Sequence, residues 1–138
     1  MLEIVIESTR IRIGSGAVPY DGYYFGFSDG SSVELVLRRV LAQWADAVER
    51  LSNTEPTVYL PFSLDDEWVE AFRARLTDDQ VSLRRVRLGE NGYLVNVDDL
   101  KDFMHEAHRI EHEEPQAFGS YERTDFVAAL RNARIDAA

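Results

Sequence analysis

Gly26-Phe27-Ser28-Asp29-Gly30 spells G-x-S-x-G where a strand pattern gives way to a helix pattern. In a nucleophile elbow that spacing puts a serine on a sharp strand-to-helix turn, with its Oγ exposed and a helix N-terminus behind it. An acid and a histidine follow in chain order, from Asp98 or Asp99 and then His105, His108 or His112. The hydrolase fold that uses such an elbow needs a large parallel sheet, which 138 residues with hairpin signals do not supply. The HGGG-type oxyanion segment is also missing. Ser28 is thus the one catalytic candidate. The plainer reading is a strand glycine at Gly26 followed by a turn and helix cap over Ser28–Ser31.

His105, His108 and His112 offer a second chemistry. Spacings of three and four put them on one stripe of a predicted helix, where two imidazoles can share a metal ion. That stripe lies about 140° from the Leu100–Phe103–Met104–Ala107 core face. Lys101 falls within it, and its charge opposes a bound cation. The pattern reads as a solvated helix flank. These histidines are the metal-ligating candidates, and no cofactor is implied. Gly14-Ser15-Gly16 lacks the remainder of a phosphate-binding signature and reads as a connector.

Charge points to a different activity. Twenty-five Asp and Glu against 15 Lys and Arg give a formal net charge of −10. Such a field opposes nucleic-acid phosphates and anionic lipid surfaces and attracts basic partners. Two acidic groups could steer one: Glu111, Glu113 and Glu114, or Asp65, Asp66, Glu67 and Glu70. Tyr20 on a loop and Tyr24 on the outward side of an aromatic strand are candidate contact side chains, since tyrosine is favoured at interface hot spots.

The chain length matches one domain over residues 1–138, long enough to bury a core without staples. The absence of cysteine removes disulfide frameworks and thiolate metal sites. Met1-Leu2-Glu3 leads into an alternating strand pattern, not a basic and apolar leader, and no run reaches transmembrane length. The expectation is a cytoplasmic protein with no membrane partner. Lys101 is the only lysine among the basic residues, a bias that with abundant Ala, Val and Asp suggests a high-GC bacterial source.

The elements that must position these residues follow from periodicity. Leu2, Ile4 and Ile6 alternate as a strand, and a two-residue turn at Ser8-Thr9 would pair Ile6 with Ile11, Ile4 with Ile13 and Glu7 with Arg10. Ser-Thr is a poor tight-turn pair, so a bulged or bent strand is the alternative. Residues 14–22 read as a loop, and Tyr23–Phe27 as a strand. Val33, Val36, Leu37, Val40, Leu41, Trp44, Val48 and Leu51 form one helical stripe, with Leu35 opposite and Ser31 and Glu34 as a capping box. Thr57–Phe62 is a strand, and Pro61 places it at an edge or near a strand end. Ser63 or Asp65 then caps a helix carrying Trp68, Val69, Phe72 and Leu76. A strand from Val81 to Leu88 carries a bulge at Arg84-Arg85, where its apolar phase flips. Asn91-Gly92 predicts a type I′ hairpin with a return strand over Tyr93–Val97. A helix from Asp98 or Asp99 runs to Ile110, ended by Glu113-Glu114-Pro115, and a last helix spans Tyr121–Ile135 before fraying ends.

The sum is an α+β fold: a mainly antiparallel sheet of about five to six strands packed with three to four helices. The function read from it is a small acidic, non-enzymatic protein-binding module. Its composition is like that of small bacterial immunity or antitoxin proteins that neutralise a basic toxin. A small serine hydrolase using Ser28 and a small-molecule-binding domain beneath Tyr20–Tyr24 are the alternatives. Homo-oligomerisation is compatible with all three.

Overall fold

The computed structural model describes residues 1–20 and 32–136. Among them the fold is α+β, with two sheets and three α-helices. The first sheet holds β1 (Ile4–Glu7), β2 (Arg10–Ile13), β3 (Gly16–Pro19) and β9 (Arg134–Asp136), in the order β3-β2-β1-β9. The second holds β4 (Thr57–Leu64), β5 (Val69–Thr77), β6 (Gln80–Leu88), β7 (Ile110–Glu113) and β8 (Gly119–Glu122). The helices are α1 (Val33–Glu49), α2 (Lys101–His105) and α3 (Arg123–Arg131). The single sheet expected from sequence is therefore two, of four and five strands, and all pairings but β1–β9 are antiparallel.

Of the two readings of Ser8-Thr9 the hairpin holds, with the register expected for it. Ile4 faces Ile13, Ile6 faces Ile11, and Arg10 Nε donates to Glu7 Oε1 at 2.7 Å. The loop expected after it is partly strand. Gly14, at φ 60, starts a two-residue turn between Ile13 and Gly16, and Ala17 and Val18 pair back onto β2. Glycine takes that left-handed conformation without a Cβ clash.

Helix α1 is the central element. Val36, Leu37, Val40, Leu41, Trp44 and Val48 are buried as the stripe requires, and Leu35 is 47% exposed on the far side. Its N-cap is Ser32, whose side chain accepts from Leu35 N at 3.3 Å, one residue later than the expected capping box. The helix packs on α3, α2, β1 and β4, so it touches both sheets. Trp44 stands edge-on to Phe72, and its indole N–H donates to the Pro61 carbonyl at 3.2 Å. A buried indole with its one donor satisfied combines large apolar burial with a fixed orientation.

The predicted second helix is β5. Trp68, Val69, Phe72 and Leu76 have helical spacing, but Val69 and Ala71 are buried as well as Phe72, Ala74 and Leu76. A central strand covered on different faces along its length loses its period of two. The same cause explains β6. Its pairing with β5 runs from Thr77–Gln80 to Val69–Leu88 without a bulge at Arg84-Arg85. What changes there is the neighbour: β8 pairs with Gln80–Leu83 and β7 with Val86–Leu88. The buried face switches with it.

The type I′ signature also moved. Asp78 and Asp79, at φ 49 and 64, make the two-residue turn between β5 and β6. Asn91-Gly92 instead opens a 3-10 turn over Gly92–Leu94, with Asn91 Oδ1 accepting from Tyr93 N at 2.9 Å, and no return strand follows. The predicted helix to Ile110 stops at His105, and residues from Ile110 enter β7. The last helix is shorter than expected because Tyr121 pairs with Val81 in β8 and the end of the chain adds β9 beside β1. None of the helices among the described residues is long and apolar enough to cross a membrane.

Candidate functional site

Two short segments remote in sequence meet at one end of the second sheet. Asp65–Trp68 closes the β4–β5 hairpin: Asp65 N donates to Trp68 O at 2.9 Å, and Asp65 Oδ1 accepts from Glu67 N at 3.2 Å. This is an aspartate-stabilised turn, where the sequence had suggested a helix cap. Against it lies the 3-10 turn, whose Gly92 N donates to Asp65 O at 2.6 Å. A Cβ at Gly92 would stand 2.5 Å from that same carbonyl oxygen, so only glycine permits the approach.

The junction sets Tyr93, 56% exposed, and Leu94, 82% exposed, next to the turn that carries Asp66 and Glu67. The carboxyls of Asp65 and Asp66 are close enough to shift one another in opposite directions. The hydrogen bond from Asp66, then the Glu67 N–H, holds Asp65 below the usual carboxylate range. The same bond to Asp65, with the neighbouring charges of Asp65 and Glu67, pushes Asp66 up. Asp66 is therefore the first of this pair to be neutralised as pH falls.

Glu70 is not part of that exposed group. Register places Ser63, Glu70, Arg87 and His112 side by side across β4, β5, β6 and β7, on one sheet face. The next row along that face brings Phe72 beside Arg85. Glu70 Oε1 lies 4.0 Å from Arg85 and 3.9 Å from Arg87, too far for a hydrogen bond. The Arg87 guanidinium lies 4.4 Å from the Trp68 ring centroid, and that of Arg85 5.6 Å from Phe62. Glu70, Arg85 and Arg87, with Val86, His112 and Glu114, line a cleft of about 250 Å³.

The histidines do not form a stripe. His105 ends α2 and borders a cleft with Lys101, Arg50 and Asp46. His112 is exposed on β7. The His108 side chain is fully buried, between Tyr59 (centroids 5.0 Å apart) and Phe103 (4.4 Å). Its Nε2 donates to Phe103 O at 2.6 Å, and Nδ1 shares a proton with Glu90 Oε1 at 2.7 Å. The imidazole thereby occupies a carbonyl of the last turn of α2, which helps end that helix where it does. Among the described residues no three His, Asp or Glu side chains converge as metal ligands would.

Tyr20 is a core residue, 7% exposed, and its hydroxyl donates to Glu7 O at 2.6 Å and Ser8 O at 2.9 Å, clasping the first hairpin. Its expected place on a contact surface is corrected by that burial. Ser28 and Tyr24 lie outside the described residues. Sequence reasoning overlooked Tyr93 and Leu94, which it assigned to a return strand, Arg85, which with Arg84 served only as a phase marker, and Arg87, which it did not single out. A usable signal existed for the first pair, since Asn-Gly is as good a cap and close-approach dipeptide as a hairpin turn.

Comparison with protein-family models, with curated proteins and with solved structures finds no match to this chain.

Proposed function

We propose that the chain is an acidic protein-binding module that docks a basic partner on the face formed by Asp65, Asp66, Glu67, Tyr93 and Leu94. The observation that supports this reading is the Gly92–Asp65 junction, which brings two exposed apolar side chains beside three carboxylates. An aromatic and an aliphatic anchor with a charged rim is the usual anatomy of an interface centre. The carboxylates steer a cationic partner and fix its register, and the apolar pair supplies the desolvated contact. The net charge of −10 adds long-range attraction for the same kind of partner. It also works against pairing two copies through this face.

The test starts from a native co-purification of the tagged full chain. The expected result is one stoichiometric basic protein, released as salt screens the charges. Tyr93→Ala with Leu94→Ser should weaken its binding by about a hundredfold, as the loss of two anchors does. Asp66→Lys with Glu67→Lys should slow its association and flatten the salt dependence. A captured partner whose affinity ignores both double variants would overturn the assignment of this face.

A further inference from the structure

We infer that the cleft lined by Glu70, Arg85, Arg87, His112 and Glu114 is a binding site for a small singly charged carboxylate. Arg87 carries the argument. Its Nε–H is buried and donates to no acceptor, although buried donors are nearly always satisfied. The guanidinium is not loose: it is laid on the Trp68 ring at 4.4 Å and ion-paired at long range with Glu70. Stacking of this kind holds the plane of the fork and leaves its edge donors for a ligand. Arg85, two residues along the same strand face, is held in the same manner over Phe62. Two oriented guanidinium groups beside a cleft of about 250 Å³ match a planar two-oxygen acceptor.

The acids of the same cleft select the ligand's charge. Glu70 sits 3.9–4.0 Å from both arginines, close enough to lower the local potential and too far to occupy their donors. Glu114 also lines the cleft, and its side chain has no cation partner among the described residues. Asp65 also feels the charge of Arg87. Glu70 and Glu114 offset the two arginines, so a second negative charge on a ligand gains no net attraction, and a dianion such as phosphate adds only its larger desolvation cost. Glu70 is thus an internal competitor for the arginines, which makes a sharp prediction about its removal.

The experiment is a titration of the uniformly ¹⁵N-labelled full chain with sodium propionate at constant ionic strength, following the arginine Nε–H resonances. Inorganic phosphate and propylammonium chloride are the comparison arms. Propionate should shift the Arg87 and Arg85 Nε–H signals with a saturating curve, and phosphate should act at least about fivefold more weakly. Arg87→Lys keeps the charge and removes the fork, and should weaken propionate about tenfold. Glu70→Gln should tighten it severalfold, a gain that loss of folding cannot imitate. No shift with propionate, equal or better binding of phosphate, or weaker binding in Glu70→Gln would each overturn the proposal. The site shares none of the docking residues, so its failure leaves the proposed protein interface standing.

Discussion

His108 and His112 are four residues apart and belong to opposite faces of the same five-stranded sheet. His108 packs on Tyr59 with both ring nitrogens bonded, while His112 stands across from Arg87 at a cleft whose buried donor has no acceptor. Both neighbourhoods hold a histidine, a glutamate and aromatic rings. In one both ring nitrogens are spent on the chain itself: His108 ties Glu90, just after β6, to Phe103 in α2 and fastens the irregular stretch between them. In the other, charges are arranged on strands yet incompletely paired. A satisfied buried polar group stabilises the fold, whereas an oriented and unsatisfied one is available for a ligand.

This contrast can be broken by substitution. His108→Ala should cost about 3 kcal/mol in chemical denaturation, since it removes a fully buried ring and two hydrogen bonds. Arg87→Met should change stability by less than about 1 kcal/mol, because the thioether keeps contact with Trp68 and an orphan donor disappears. Equal losses from the two variants would remove the distinction between a structural and an available polar cluster.

A second comparison uses Tyr20, another buried and satisfied polar group. Tyr20→Phe should lose about 1 kcal/mol at neutral pH through its hydroxyl bonds to Glu7 and Ser8. Burial, reinforced by the Glu34 charge, pushes the Tyr20 phenol above its ordinary value. The fold therefore favours the neutral form. Its contribution is full below about pH 10, the unfolded value, and is lost as pH rises through the higher folded one. Denaturation melts at rising pH should show a shallower alkaline decline in Tyr20→Phe than in the parent. Tyr121, also raised by burial, contributes in the same direction and is untouched by this substitution.

The smallest effect sharpens the comparison by leaving both clusters untouched. Asp78→Asn with Asp79→Gly places the preferred pair in a turn where both residues have positive φ, and should add about 0.5 kcal/mol net of the exposed Arg123–Asp79 ion pair that it removes. Propionate shifts at Arg87 should be unchanged in that variant. A change there would mean that the cleft responds to overall stability and not to its own groups.

Much of the fold was legible locally. The Ile4–Ile13 and Ile6–Ile11 pairing, the α1 stripe and the edge position of β4 at Pro61 follow from side-chain period and from proline's missing N–H. The failures cluster where cover changes along an element. In β5 and β6 the buried face switches mid-strand, so alternation is masked and helical spacing appears by coincidence. Asn91-Gly92 is a turn signal in any context, but the approach of the Asp65 backbone makes it a contact point and not a hairpin.

By itself the sequence determined composition-level physics: net charge, lack of thiols, the core helix and the first hairpin's register. These depend on residue type and near-neighbour spacing, which a chain carries wherever it folds. Tertiary structure decided which charges are used up and which remain. Glu70 left the acidic turn for the arginine row, Tyr20 left the surface for the core, and the three histidines separated into a helix end, a buried clamp and a strand. The physical reason is that satisfaction of a polar group depends on partners brought from other strands. No periodicity along one segment encodes those partners.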